Sequence, residues 1–464
     1  MAILKLTDGT TTLDLLDSVN YLAQAESWTP NIARLRKGKL GRGIYEPVVE
    51  EFDVMVRGTT VPTTLANLAA LATMIDQAER WSRLEPVAAV RLQYQPTGSN
   101  LAAPLEAVVL GYDGDSPFLN LPMIESRANI ILGPIKLRFR RAPLWIGADV
   151  AATSSSAAIA NAMTVTFGSS AAVASPVKLE LNASVFNYTT APGFNDGYLL
   201  VTNAADRMKF IEGESATAGG WTVQAASSAR GGNVIQALPT SANVPITNYY
   251  NTISGVSANA RLFAVFASIS FSATGGAWTV TTHLFSHGQS VDVVSAPVAD
   301  TVYPHIVFLG MFALPGALDR MAIDVAVASV AGSPVLNIDY FCLLAMDDDY
   351  SRIIGLDSLR TLSPGYPFVS NSTPFAITID DLVNSGQAAT VRLNAPTTNE
   401  YAPISYRGQV NYLLTNGTTL VVALLMCGGT LLGDDSYWRL VDTTHGVIST
   451  TLTATRHTAY LTPQ

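Results

Sequence analysis

The stretch Phe52-Asp53-Val54-Met55-Val56-Arg57-Gly58, with Pro62-Thr63-Thr64-Leu65-Ala66-Asn67-Leu68-Ala69-Ala70-Leu71-Ala72-Thr73-Met74-Ile75-Asp76-Gln77-Ala78-Glu79-Arg80-Trp81 close behind it, decides how this chain folds. Phe52, Val54 and Val56 alternate with Asp53, Met55 and Arg57, the period of two that marks a half-buried strand. In the second segment the period changes. Leu65, Leu68, Leu71, Ile75, Ala78 and Trp81 recur every three or four residues on one stripe, with Asn67, Thr73, Gln77, Glu79 and Arg80 opposite. Pro62 and Thr63 or Thr64 supply start signals and Pro86 a stop. The spacing predicts a helix over Pro62 to Leu84 with Leu68, Leu71, Ile75 and Trp81 buried. It should be the longest in the chain.

Almost nothing after it is helical in pattern. Ile135, Leu137 and Phe139 alternate with Lys136, Arg138 and Arg140, and the first region closes on Arg141-Ala142-Pro143-Leu144-Trp145. Residues 148–172 are rich in Ala, Ser and Thr and read as a linker. Short strand patterns then follow at Trp221 to Ala225, Asn233 to Leu238, Arg261 to Ser270, Trp278 to His283, Met321 to Val327 and Asn337 to Leu344, separated by turn residues. That punctuation predicts a β-sandwich or jelly roll. The expected fold is mainly β: β-sandwich domains, one amphipathic helix in the first, and a jelly roll in the middle. The expected domains are 1–147, a linker at 148–172, a jelly roll at 173–350, and a carboxy-terminal β domain at 351–464.

Composition narrows the function classes. The chain has 464 residues, of which 48% are hydrophobic and 14% charged; a typical soluble protein carries about 25% charged residues. Hydroxyls and methyls therefore cover faces that usually carry ions, which suits surfaces shared with neighbouring subunits. Residues 1–147 hold fifteen Lys/Arg and fifteen Asp/Glu, so the net charge of -9 lies entirely in residues 148–464 (12 - 21 = -9). An acidic β region has no bulk attraction for nucleic acid. A local basic run, Arg34, Arg36, Lys37, Lys39 and Arg42, sits in a Gly-containing stretch; it is either a solvated loop or an arm that pairs with an acidic neighbouring subunit. Two cysteines, Cys342 and Cys427, lie in apolar runs and read as buried free thiols. Met1 to Val19 lacks the apolar core of a secretory leader. The most apolar run, Leu420 to Cys427, is far shorter than the about 20 residues a membrane-spanning helix needs.

No reaction motif stands out. There is no Gly-x-Ser-x-Gly elbow, and Gly38-Lys39 is followed by Leu40 where a phosphate-binding loop needs Ser or Thr. His283 and His287 have metalloprotease spacing, but Leu284 stands where the general-base Glu is required. Asp113-Gly114-Asp115 and Asp347-Asp348-Asp349 read as turns, without the spacing of a calcium loop. No catalytic, cofactor or metal residue is assigned, and no catalytic turnover is expected. Trp221 and Trp278 either pack in the core or stack on sugar rings.

Residues 1–147 resemble the amino-terminal domain of long-tailed (siphovirus-type) phage tail proteins. The likeness lies in the order of Leu6-Thr7-Asp8-Gly9-Thr10-Thr11-Thr12, Trp28-Thr29-Pro30, the strand Glu51 to Gly58, the helix ending Ala78-Glu79-Arg80-Trp81, and Arg141-Ala142-Pro143-Leu144-Trp145. Residues 210–350 resemble the jelly-roll, carbohydrate-binding-module-like domains often attached to such proteins. Trp221-Thr222-Val223, Arg230-Gly231-Gly232-Asn233 and Ile338-Asp339-Tyr340-Phe341-Cys342-Leu343-Leu344 carry that likeness. The resemblance implies a virion tail component, a distal-tail or baseplate ring subunit. Its partners would be copies of itself, other tail proteins and, through the jelly roll, host-surface glycan, without nucleic acid, cofactor or membrane insertion. The alternative is a secreted or surface carbohydrate-binding protein.

Overall fold

The computed structural model describes residues 2–24, 28–33, 35–37, 43–83, 85, 87–114, 118, 122–125, 130–153, 155–158, 161–183, 192–215, 217–218, 220–226, 229–273, 277–298, 305–347, 351–355, 376–380, 389–394, 399–404, 414–430, 441–442, 446–447 and 449–462. Among them the protein is mainly β, with several sheets and one α-helix.

In the first region two runs of strands, joined where Ile130–Arg141 pairs with Leu105–Tyr112, enclose a core. One contains Thr12–Asp14, Ile3–Thr7, Arg91–Gln95 and Leu105–Tyr112; the other is built on Val48–Gly58 paired with Tyr21–Ala23 and Ile130–Arg141. Leu4, Leu6, Val54, Val56, Leu92, Val109, Leu137 and Phe139 fill the space between them. The helix Val61–Ser82 lies across Leu105–Tyr112 and Val48–Gly58. Thr60 caps it, its hydroxyl accepting from the Thr63 N–H at 3.3 Å, and Pro62 occupies the first turn, where no N–H partner is needed.

The helix buries Thr64, Leu71, Met74, Ile75 and Ala78. Leu68 and Trp81 are only half-buried, and Leu65 is 47% exposed, against the expected stripe. Successive residues turn by about 100°, so Leu65 faces away from the line through Thr64, Leu71 and Ile75. Trp81 packs in a separate cluster with Val108, Leu110 and Ala142.

The helix can pass this close to Leu105–Tyr112 because the crossing point is Gly111. A Cβ there would stand 2.9 Å from Glu79 Cβ, and its φ is +113°. Gly111→Ala is expected to cost about 1–3 kcal/mol of stability, read from urea unfolding.

The close of the first region is tied back to its early part. Arg141 and Glu50 form an ion pair at 2.7 Å with both side chains fully buried. The guanidinium also donates to the carbonyls of Asn31, Ala142 and Pro143 at 2.7–3.1 Å and sits 4.5 Å over the Trp145 ring. Glu50 accepts the Asn31 N–H at 3.1 Å. Trp28 stands edge-on to Phe52 and Tyr94. Burial raises the Glu50 carboxyl above its ordinary value, with Arg141 pulling the other way. The stability this group contributes is therefore largest at low pH and falls as pH rises through its folded-state value.

The expected linker at 148–172 is corrected. Trp145–Ala151, Ser155–Ala158 and Ala162–Thr166 are strands. Their partners lie near the far end of the chain: Ser449–Tyr460 pairs with the first two, and Thr419–Thr430 with the third. Local composition carries no trace of pairings so distant. Two described strands of the carboxy-terminal region likewise join sheets of earlier parts of the chain. Ser449–Tyr460 sits between Trp145–Ala151 and Ser175–Ala183, and Thr419–Thr430 between Ala162–Thr166 and Pro192–Thr202. The flanks of the jelly roll thus build shared sheets from both sides.

The jelly roll is inserted between Pro192–Thr202 and Arg352–Gly355, which pair antiparallel with Val201 opposite Arg352. The Ser351 hydroxyl donates to that of Thr202 at 3.1 Å, where the insertion leaves and returns. Its inner sheet runs Trp221–Ala225, Asn233–Ala237, Val335–Ala345, Leu262–Ala273 and His305–Ala313; its outer sheet runs Thr217–Ala218, Ile246–Thr252, Leu318–Val327, Trp278–Ser286 and Gln289–Val298. Between them lie Trp278, Phe341, Phe263, Tyr249 and their neighbours.

The other face of the inner sheet is also buried. Ala264, Phe266, Tyr340, Cys342 and Leu344 pack against Leu200, Val421, Ala423 and Leu425 of the flanking sheet. This explains two sequence runs that do not alternate. Val335–Ala345 and the described part of Thr419–Thr430 are buried on both faces, and continuous apolar runs are what doubly covered strands require. Burial also raises the Cys342 thiol. Iodoacetamide is expected to leave Cys342 unmodified in the native chain and to label it in denaturant, read by peptide mass spectrometry.

Candidate functional site

The outward face of the outer jelly-roll sheet gathers side chains suited to a ligand. In Trp278–Ser286, alternation sends Trp278, Val280, Thr282 and Leu284 inward, leaving Thr279, Thr281, His283 and Phe285 outward. In Ile246–Thr252, Tyr249 is buried and Tyr250 turns out, 39% exposed. Leu318–Val327 lies between these strands and contributes Arg320 and Asp324. Register then brings the groups together: Arg320 stands opposite both Thr252 and Phe285, and Ala322 opposite both Tyr250 and His283.

Arg320 is the centre of this platform. Its guanidinium carbon lies 4.1 Å from the Phe285 ring centre and 5.3 Å from that of Tyr250, so one cation spans two aromatic faces. Its Nη2 donates to the Gly288 carbonyl at 3.4 Å. Next to it, His283 Nε2 and Asp324 Oδ2 are 3.0 Å apart. Further along, the hydroxyls of Thr281 and Ser295 are 2.9 Å apart. Small Ala322 lies between Tyr250 and His283 and leaves the floor flat. The face combines two aromatic rings beside one guanidinium with carboxylate, imidazole and hydroxyl groups. Such a surface stacks on one side of a ring-shaped polar molecule and hydrogen-bonds its rim.

The residues expected from sequence lie elsewhere. Trp221 and Trp278 are in the inter-sheet core, 9% and 1% exposed. Trp221 Nε1 donates to the Thr247 carbonyl at 3.2 Å with its ring against Tyr249, and the Trp278 ring packs on Phe271. Neither offers a face to a sugar, because both occupy inward positions of their strands. Of the basic run, Arg34, Lys39 and Arg42 lie outside the described residues. Arg36 and Lys37 belong to Leu35–Lys37, which pairs with Gly43–Tyr45, and their side chains are likewise outside the description. His283 and His287 do not converge: the first faces Asp324 and the second is in a turn with φ +54°. Asp113 pairs with Arg138 at 2.6 Å and Asp347 with Arg207 at 3.3 Å. Tyr250, Phe285, Arg320 and Asp324 were not singled out from sequence. The signal was available in Thr279, Thr281, His283 and Phe285, a polar and aromatic row alternating with an apolar one.

No family model matches the chain, and no curated protein matches its sequence. Comparison with solved structures gives weak matches. The isomalto-dextranase of Arthrobacter globiformis T6, complexed with panose, is 13% identical with a TM-score of 0.23 over 42% of this chain and 36% of that one. The carbohydrate-binding module TmCBM61, complexed with β-1,4-galactotriose, is 11% identical with a TM-score of 0.19 over 32% of this chain and 88% of that one. A protein of infectious bursal disease virus, Gt strain, is 10% identical with a TM-score of 0.19 over 68% and 83%. The chain spans about a third of the length of the isomalto-dextranase. Scores this low say nothing of activity or partner.

One expectation is corrected here. The chain was expected to lack catalytic turnover because it carries no nucleophile motif, and that expectation is withdrawn: glycoside hydrolases, such as the isomalto-dextranase compared above, do not require one. The motif argument was the weak link. Glycoside hydrolysis needs only two carboxylates at a suitable separation, and no local pattern marks such a pair.

Proposed function

We propose that the chain is a subunit of a phage tail, at the distal tail or baseplate, whose jelly roll presents a glycan-binding face to the host surface. The observation that carries the binding half is the Tyr250–Arg320–Phe285 platform on an open sheet face. The motif order of residues 1–147 supports the tail half. A surface-exposed Tyr held by an Arg is the type of anchor that dominates binding energy. On a glycan array, the chain is expected to retain one class of oligosaccharide, and Tyr250→Ala to weaken it by about tenfold or more. An array profile unchanged by Tyr250→Ala would sink the binding half.

A tail subunit of this kind assembles head-to-tail into a closed ring, with at least about 1,000 Å² buried between neighbours. Negative-stain images of the concentrated chain are expected to show rings, and the variant carrying Arg34→Glu, Arg36→Glu and Lys37→Glu to form fewer. Monomers at every concentration, with no ring in assembled virions, would leave the alternative of a surface carbohydrate-binding protein using the same face.

A further inference from the structure

A cleft shares no residue with the jelly-roll face and lies where the first region passes into the strand Ser449–Tyr460. We propose that this cleft binds a short neutral saccharide. Its volume is about 660 Å³, within the range of small-molecule sites.

The cleft opens because one strand loses its partner on one side. Trp145–Ala151 lies between two strands: it follows Ser449–Tyr460 from Trp145 onward on one side, and touches Leu105–Tyr112 on the other at a single bridge, Ile146 opposite Glu106. The register shifts between Ile146 and Asp149, and there Gly147 lets the Tyr460 ring approach closely: a Cβ on residue 147 would stand 2.8 Å from Tyr460 Cε2. The two strands that leave the bridge diverge, and the segment Asn100 to Pro104 closes the side.

The lining chemistry selects the ligand class. Its ionisable groups are already matched. Arg91 pairs with Glu106 at 3.1 Å, and His457 Nδ1 with Asp149 Oδ1 at 2.7 Å. Gln93 also donates to Glu106 at 2.7 Å. An anion would face two carboxylates and a guanidinium already engaged. A cation would compete with Arg91 and His457, and no three metal-ligating side chains converge among the described residues. A neutral ligand rich in hydroxyls has no such conflict. Carboxylate, guanidinium and the Asn100 amide accept from and donate to hydroxyls in place of water. Leu101, Leu105, Ile146 and the Tyr460 ring supply the apolar surface that the C–H face of a sugar ring needs. The site joins three distant parts of the chain, so an occupant ties the first region to the carboxy-terminal strand.

The test uses the full chain carrying Tyr250→Ala, so that the jelly-roll face does not contribute. The probes are maltotriose, isomaltotriose, cellotriose, chitotriose and β-1,4-galactotriose, with trigalacturonate as the anionic counterpart. At least one neutral probe is expected to bind by calorimetry and to slow amide exchange in 100–106 and 145–149. Ala102→Trp, on the exposed closing segment, fills the cleft and is expected to weaken that binding by about tenfold or more; Glu106→Gln is expected to weaken it as well. The proposal is overturned if no neutral probe binds this background, if binding ignores both substitutions, or if trigalacturonate binds as tightly. Loss of binding in the original chain on Tyr250→Ala reports only on the jelly-roll face, so the two sites fail separately.

Discussion

Arg141→Ala is expected to lower the unfolding free energy by about 3–5 kcal/mol, because it leaves the fully buried Glu50 carboxylate without its cation. The loss reaches further than one pair. The same guanidinium satisfies three backbone carbonyls, those of Asn31, Ala142 and Pro143, and stacks on Trp145. Removing it strands acceptors in a site that water does not reach, and each buried orphan costs about 1–3 kcal/mol. Replacing both partners with apolar residues, Glu50→Leu with Arg141→Met, removes the unpaired charge and is expected to recover part of the loss. The carbonyls and the Asn31 N–H remain unpaired, so recovery should be incomplete. Urea unfolding of the two single variants and the double variant measures this. A loss below about 1 kcal/mol for Arg141→Ala would place the pair in the range of surface ion pairs and refute its role.

Deleting the jelly roll should fail, although its ends are adjacent. Thr202 and Ser351 are in hydrogen-bond contact, so joining them across residues 203–350 strains nothing locally. What the deletion removes is cover. Leu200, Val421, Ala423 and Leu425 are at most 2% exposed because the inner jelly-roll sheet lies on them. Exposing a large aliphatic side chain costs about 1.5–3 kcal/mol, and a contiguous apolar face promotes association. The joined remainder is expected to aggregate or to elute as soluble oligomers in size exclusion. Leu200→Thr, Val421→Thr and Leu425→Thr together should restore a monodisperse species at low concentration. A soluble, two-state deletion variant without those changes would show that the inserted unit is merely tethered.

Much of this architecture is legible in the sequence, within a limit set by distance along the chain. The helix Val61–Ser82 and the strand Val48–Gly58 follow from local periodicity, since each buries one face against a neighbour. Trp278–Ser286 and Leu318–Val327 of the jelly roll follow for the same reason, whereas Ile246–Thr252, Gln289–Val298 and His305–Ala313 were not picked out. Two runs gave a correct apolar reading but withheld its cause: Val335–Ala345 and Thr419–Thr430 lack alternation because each lies between two layers. The pairings of Trp145–Ala151 and Ser175–Ala183 with Ser449–Tyr460 were out of reach, being fixed by contacts across nearly the whole chain. That is why residues 148–172 read as a connector. The site was missed for a related reason. Tryptophan draws attention as a stacking residue, but Trp221 and Trp278 sit at inward positions, whereas Tyr250 and Phe285 sit at outward ones. Only the register of Leu318–Val327 with its two neighbours shows that Arg320 joins those rings.

The most direct test of the account is a structure of the full chain with the oligosaccharide selected on the array. The account predicts a sugar ring lying over Tyr250 and Phe285, with its hydroxyls toward Asp324 and His283 and Arg320 beneath. Density for the sugar at the loop ends of the jelly roll, with the face formed by Tyr250, Arg320 and Phe285 bare, would contradict it.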